Sequence, residues 1–193
     1  GRSRSETSRL AGAVAGVGVL AVHLAFALAD GREPGLALSE KLAALARMIA
    51  FETRFEPAIV TGDAERVRTI VDNLVSNAIK YSPRSGTIAA EIRARDGVAI
   101  LEVSDQGPGV PAAEREQVFD SFFQGAPPAE GRVKGSGLGL AIAREYAMAH
   151  GGRIDAVDRP DGARGACFRL VLPLAMGARV AASRRGLTAA GVE

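Results

Sequence analysis

"GSGLGLAIAREYAMAHGG", Gly135 to Gly152, sets glycines at the alternate positions 135, 137 and 139, directly before a helical stretch with no further glycine until Gly151. Glycine lets a backbone approach another group closely, and the first turn of a helix presents N–H groups with no partner inside the helix. Together they make a receptacle for phosphate oxygens, and Lys134 stands just ahead of it. The loop lacks the Gly-Lys-Ser/Thr ending of a Walker A loop, and it does not follow the glycine pattern of a dinucleotide fold. A different nucleotide fold is required.

The surrounding chain reads as alternating helices and strands. Before the glycines, "FDSFFQGAPPAEGRVKGSG" (Phe119–Gly137) is too long and too rich in Gly, Pro and small residues for a plain connection, which marks a mobile functional segment. Asp63 caps a helix to about Tyr81, with Val67, Ile70, Val71, Leu74 and Ala78 recurring at three and four. "TIAAEIRA" and "VAILEV" alternate around Arg95, Asp96 and Gly97 and read as a β-hairpin with Asp-Gly at its turn. "MIAFETRF" reads as an earlier strand, Leu38–Met48 as a short amphipathic helix, and the residues after "DQGPGVP" as a short polar helix. Leu138–Ala149 is helical, with "RIDAV" and "ACFRLVLP" as closing strands.

On the helix from Asp63, Asn73, Asn77 and Lys80 are spaced four and three apart, so their side chains form one polar stripe beside the apolar face. Asparagine is a poor helix former, which hints at a polar task. Alone, the stripe reads better as a solvated face. In "VSDQGPGV", Asp105 ends a strand in register with Leu101 and Val103, so a carboxylate sits at the edge of an apolar surface and needs a partner. The exocyclic amine of a purine is a suitable donor, and Gly107 and Gly109 let the chain turn under a flat base. Alone, Asp-x-Gly-x-Gly is an ordinary turn.

In order, "DNLVSNAIKYSP", "DQGPGV", "VFDSFFQG" and "GSGLGLAI" resemble the N, first glycine, F and second glycine boxes of the ATP-binding catalytic domain of sensor histidine kinases. The resemblance covers about Leu38 to Pro173. It implies the Bergerat fold shared with gyrase-like and Hsp90-like ATPases: α+β, a two-layer sandwich whose mixed, mostly antiparallel sheet is covered on one face by helices, with ATP held under a mobile lid. It further implies Asn77 as the Mg²⁺ ligand, Asn73 lining the same site, Lys80 on phosphate, Tyr81 on adenine, and Asp105 accepting from the adenine amine above Gly107 and Gly109. Phe119, Phe122 and Phe123 would anchor the lid, with core packing as their plainer role. Lys134, Gly135, Ser136, Gly137 and Gly139 would form the phosphate loop, with Leu138 and Leu140 packed behind. Hydrolysing members of the superfamily carry a glutamate four residues before the magnesium asparagine; here that residue is Asn73, and an amide cannot take a proton from water. Phosphoryl transfer to a presented acceptor, or nucleotide binding alone, is favoured over hydrolysis.

Composition narrows the alternatives. A net charge of +2 with basic residues spread along the chain does not point to nucleic acid, and the single cysteine, Cys167, with two histidines excludes a disulfide framework or a Cys/His zinc site within the chain. A cytoplasmic setting is expected, with a parent protein that can be membrane-attached. The chain starts at Gly1 instead of methionine, so further sequence upstream is expected. Residues 1–35 hold an apolar stretch, Leu10–Ala29, which reads as a packed helix ahead of a membrane span or a degenerate dimerisation helix; "DGREPG" follows as a boundary. Residues 36–175 form the ATP-binding domain, and residues 176–193 a peripheral or disordered tail. No phosphoacceptor motif is present: His150 reads as structural and His23 as packed. The expected partners are ATP or ADP, a histidine-bearing dimerisation domain upstream or in trans, a response regulator, and a second copy as homodimer. A nucleotide-binding regulatory module and an anti-sigma-type serine kinase are the alternatives.

Overall fold

The computed structural model describes residues 47–125 and 136–175. Strands β1 (Ala50–Phe55), β2 (Thr87–Arg95), β3 (Val98–Ser104), β4 (Arg153–Val157) and β5 (Cys167–Pro173) form one sheet in the order β1-β2-β3-β5-β4. β1 runs parallel to β2, and helix α1 (Ala64–Tyr81) makes the crossover between them. All other pairs are antiparallel, so the sheet is mixed and mostly antiparallel. Helix α2 (Gly139–Ala149) packs beside α1 on the face that carries Ile88, Leu101, Ile154 and Leu170.

Local chemistry sets the ends of these elements. Asp63 caps α1, its Oδ1 accepting from the N–H groups of Glu65 (2.9 Å) and Arg66 (3.2 Å). At the other end Arg47 donates to the carbonyls of Lys80 (2.9 Å) and Ser82 (2.7 Å), which stand near the end of the helical ladder. Along α1 the apolar stripe is fully committed: Ile70 and Leu74 are completely buried, each worth about 1.5–3 kcal/mol of apolar burial. The β2–β3 turn places Asp96 (φ 51°) and Gly97 (φ 79°) in left-handed backbone, as a two-residue turn between twisted strands requires.

Some boundaries differ from the sequence reading. The polar helix expected after "DQGPGVP" is two short 3₁₀ turns, Ala112–Glu114 and Gln117–Phe119, neither with a side-chain cap. Phe119 is drawn into the core, edge-on to Phe168 at 6.1 Å between ring centroids, so the chain turns inward before a full helix can develop. The strand read from "MIAFETRF" begins only at Ala50, because Arg47 and Met48 form a turn with Met48 at φ 54°. Residues 1–35, most of the Leu38–Met48 helix, the 176–193 tail, Lys134 and Gly135 lie outside the described residues. Among the described residues no helix is long and apolar enough to cross a membrane.

Candidate functional site

A cleft of about 390 Å³ opens between the C-terminal half of α1, the loop after β3, the 114–125 segment and the start of α2. Asn73, Asn77, Lys80 and Tyr81 line it from α1, and Asp105 and Gly109 from the loop. Ser136, Gly137, Gly139 and Leu140 complete it from the glycine-rich side. Three stretches far apart in sequence thus meet at one concave surface.

Asp105 forms the floor and is only 2% exposed. Its Oδ1 accepts from the N–H groups of Gly107 (2.7 Å) and Ala166 (3.1 Å), while Oδ2 has no hydrogen-bond partner among the described residues. Burial pushes the carboxyl above the ordinary carboxylate range, opposed by those two backbone bonds and by the charge of Arg159. A half-satisfied carboxylate facing a cleft is a receptor for a donor group. The glycines around it are there for closeness. A β-carbon at Gly107 would stand 2.6 Å from the carbonyl oxygen of Tyr81, and Gly165 lies so near that one there would be 1.9 Å from the carbonyl oxygen of Asp105.

At the other end the groups are cationic or amide. Burial lowers the pKa of Lys80 and raises that of Tyr81, and the Lys80 Nζ lies 5.3 Å from the Tyr81 ring centroid. An ammonium partly stripped of water regains interaction energy from an anion. Asn77 offers an amide oxygen, and among the described residues no cluster of three or more His, Cys, Asp or Glu side chains could hold a metal unaided. Asn73 packs its side-chain oxygen against Gly139, where α2 begins, and Ser136 Oγ accepts from Leu138 N at 3.3 Å. The N–H groups of that first turn have no partner inside the helix, and this helix end borders the cleft through Gly139 and Leu140.

Of the described residues singled out from the sequence, Gly107, Phe119, Phe122 and Leu138 do not line the cleft, Phe119 being buried in the core. Gly107 supports Asp105 from below, and Leu138 is the residue on which α2 starts. Phe122 is 71% exposed in left-handed backbone (φ 67°), its N–H donating to Gly137 O at 3.0 Å, whereas Phe123 lines the cleft. Sequence reasoning missed Ser76, Glu114, Ala166 and Phe168 on the cleft wall, and Gly165 behind it. The two glycines of "DGARGACFRL" ahead of the last strand were the available signal.

A family model described as histidine kinase-, DNA gyrase B-, and HSP90-like ATPase matches residues 62–176. Sensor protein SphS of Synechococcus elongatus is 40% identical over 124 residues, 61% of this chain and 30% of that protein. The signal transduction histidine-protein kinase/phosphatase MprB of a Mycobacterium species is 42% identical over 117 residues, 59% of this chain and 22% of that protein. The solved structure of a mycobacterial sensor histidine kinase MprB superposes with a TM-score of 0.59 at 37% identity, covering 70% of this chain and 89% of that one. The matched part therefore spans less than a third of the length of these two curated relatives.

Proposed function

This chain belongs to the histidine kinase-, DNA gyrase B- and HSP90-like ATPase family and carries the ATP-binding catalytic domain of the sensor-kinase type; from that premise we propose that its cleft holds Mg²⁺-ATP and presents the γ-phosphate to a histidine on a dimerisation domain. The observation that carries the reading is one cleft with a lone carboxylate oxygen at its floor and Asn77, Lys80 and the start of α2 along its wall. The adenine amine donates to Asp105 Oδ2. Lys80 and the backbone of the Ser136–Gly139 segment meet the phosphates, with Lys134 and Gly135 completing that loop. Tyr81 packs on the base.

Asn77 would hold Mg²⁺ through its side-chain amide oxygen, a hard donor of the kind that cation takes. When bound, the cation neutralises charge on the phosphates. Asn73 cannot serve as a base toward water, which favours holding and presenting the nucleotide over hydrolysing it. In the transfer, an imidazole nitrogen forms a bond to the γ-phosphorus as the bond to the bridging oxygen breaks, and ADP leaves. Residues 36–175 form this domain, on the cytoplasmic side where ATP is supplied, and a response regulator is the next phosphoryl acceptor.

The test is transfer of label from γ-³²P-ATP to an added dimerisation domain, with the acid stability of the product recorded. Acid-labile, alkali-stable label on the domain's histidine is expected. ATP binding without transfer to any dimerisation domain would leave a regulatory nucleotide-binding module, and acid-stable label would identify a serine kinase.

A further inference from the structure

The carboxylate at the cleft floor is held from behind by a residue outside the cleft. Arg159, in the turn between β4 and β5, has a side chain only 9% exposed. Its Nη1 donates to the main-chain carbonyl of Asp105 and, at 3.4 Å, to that of Arg164. The other edge of the guanidinium is clasped by Asp161, Nε to Oδ1 at 2.9 Å and Nη2 to Oδ2. Asp161 Oδ1 also accepts from Ala163 N at 3.1 Å, and these bonds hold its carboxyl down at about 2. The guanidinium is therefore held by its own chain, and Arg159 lines a second hollow of about 420 Å³ that shares Pro108–Pro111 with the cleft.

We infer that Arg159 is a positioning residue: clamped by Asp161, it pins the main chain of Asp105 and sets a fixed positive charge behind this buried carboxylate. The inference rests on reading the cleft as the ATP site. The charged and titratable groups around Asp105 support it. On the cleft side stand Lys80 and Tyr81 from α1 and Glu114 from the segment that follows the β3 loop. From β5 comes the buried thiol of Cys167, which burial keeps neutral by raising its pKa. Glu102 on β3 is occupied by Arg93 and Arg169. Arg159 is the one of these whose charge acts on Asp105, opposing the effect of burial.

Replacing Arg159 by a neutral residue leaves burial less opposed, so the carboxyl takes up its proton at higher pH and becomes a poorer acceptor for a purine amine there. The test uses the full chain as parent, Arg159→Gln, Arg159→Lys, Asp161→Asn and Asp105→Asn. Mg²⁺-ADP affinity is measured across a pH series, and the Asp105 carboxyl is titrated by ¹³C NMR without nucleotide. Arg159→Gln is expected to bind about tenfold more weakly, one charged hydrogen bond's worth, with its acid limb and its carboxyl titration both displaced to higher pH. Arg159→Lys restores the titration toward the parent's. Asp161→Asn weakens binding while leaving the titration in place, and it serves if Arg159→Gln does not fold. An Asp105 carboxyl that titrates identically in parent and Arg159→Gln, or Mg²⁺-ADP binding unchanged in Asp161→Asn, overturns the inference. If instead Asp105→Asn binds Mg²⁺-ADP like the parent, it is the reading of the cleft that fails, and the nucleotide-free titration still judges Arg159.

Discussion

Asn73 and Gly139 meet where the two helices converge: a β-carbon on residue 139 would stand 2.6 Å from Asn73 Oδ1. The opening turn of α2 is thus seated directly on an α1 side chain of the cleft. Gly139 is the first residue of α2, so Gly139→Ala gains only part of the roughly 1 kcal/mol of interior helix propensity and loses about 1 kcal/mol by crowding. Its melting temperature should stay near the parent's. Because the added methyl turns Asn73 aside and shifts the loop, Mg²⁺-ATP affinity should fall about tenfold, measured by calorimetric titration.

Asp105→Asn separates stability from function. The amide oxygen of asparagine can still accept from Gly107 and Ala166, while the buried charge is gone. Since the folded-state pKa of Asp105 lies above its unfolded value, its ionisation opposes folding at neutral pH, and that opposition fades as pH falls through the folded pKa. The variant should match or exceed the parent's melting temperature at pH 7, the gap closing on acidification, and adenine-nucleotide binding should be lost. Thermal melts across pH together with an ADP titration check both halves.

Asn77→Ala should remove the magnesium dependence of nucleotide binding. The parent is expected to bind ATP more tightly with Mg²⁺ than with EDTA, and the variant to bind equally weakly in both. Calorimetry with and without the cation decides it.

Gly165→Ala tests the backbone contact behind the site. Gly165 has φ 141°, and a β-carbon there would meet the carbonyl of Asp105 at 1.9 Å, a main-chain atom with nowhere to go. A loss of about 3 kcal/mol or more is expected in urea unfolding, beyond the range of ordinary surface changes.

His150 joins the two helices, its Nδ1 donating to Tyr146 O at 2.7 Å and its Nε2 accepting from Asp63 N at 3.0 Å. Both ring nitrogens are engaged within the fold, in keeping with a structural role. His150→Ala should lower stability by about 2 kcal/mol, the two lost hydrogen bonds, without removing any label incorporated in a ³²P transfer assay.

What the sequence disclosed was the chemistry that acts over short stretches. The α1 stripe, the Asp63 cap and the Asp96-Gly97 turn depend on neighbours a few residues away, and all three stand where the pattern put them. The convergence of Asn77, Asp105 and Gly137 on one cleft was legible only through the order of the four motifs, since no local pattern states which loops meet. Contacts between main-chain atoms of distant segments left no mark: Gly165 against Asp105, and Arg159 on the same carbonyl, join residues that are not neighbours in the chain. The 3₁₀ turns were misjudged for a related reason, because the burial of Phe119 against Phe168 outweighs the helical spacing before it.

The most direct test is a crystal structure of this chain grown with Mg²⁺ and a non-hydrolysable ATP analogue. The account predicts the adenine amine on Asp105 Oδ2, the cation on the Asn77 side-chain oxygen, and the phosphates against the Gly137–Gly139 turn. A nucleotide bound elsewhere with this cleft vacant, or a base in the cleft that makes no contact with Asp105, would contradict it.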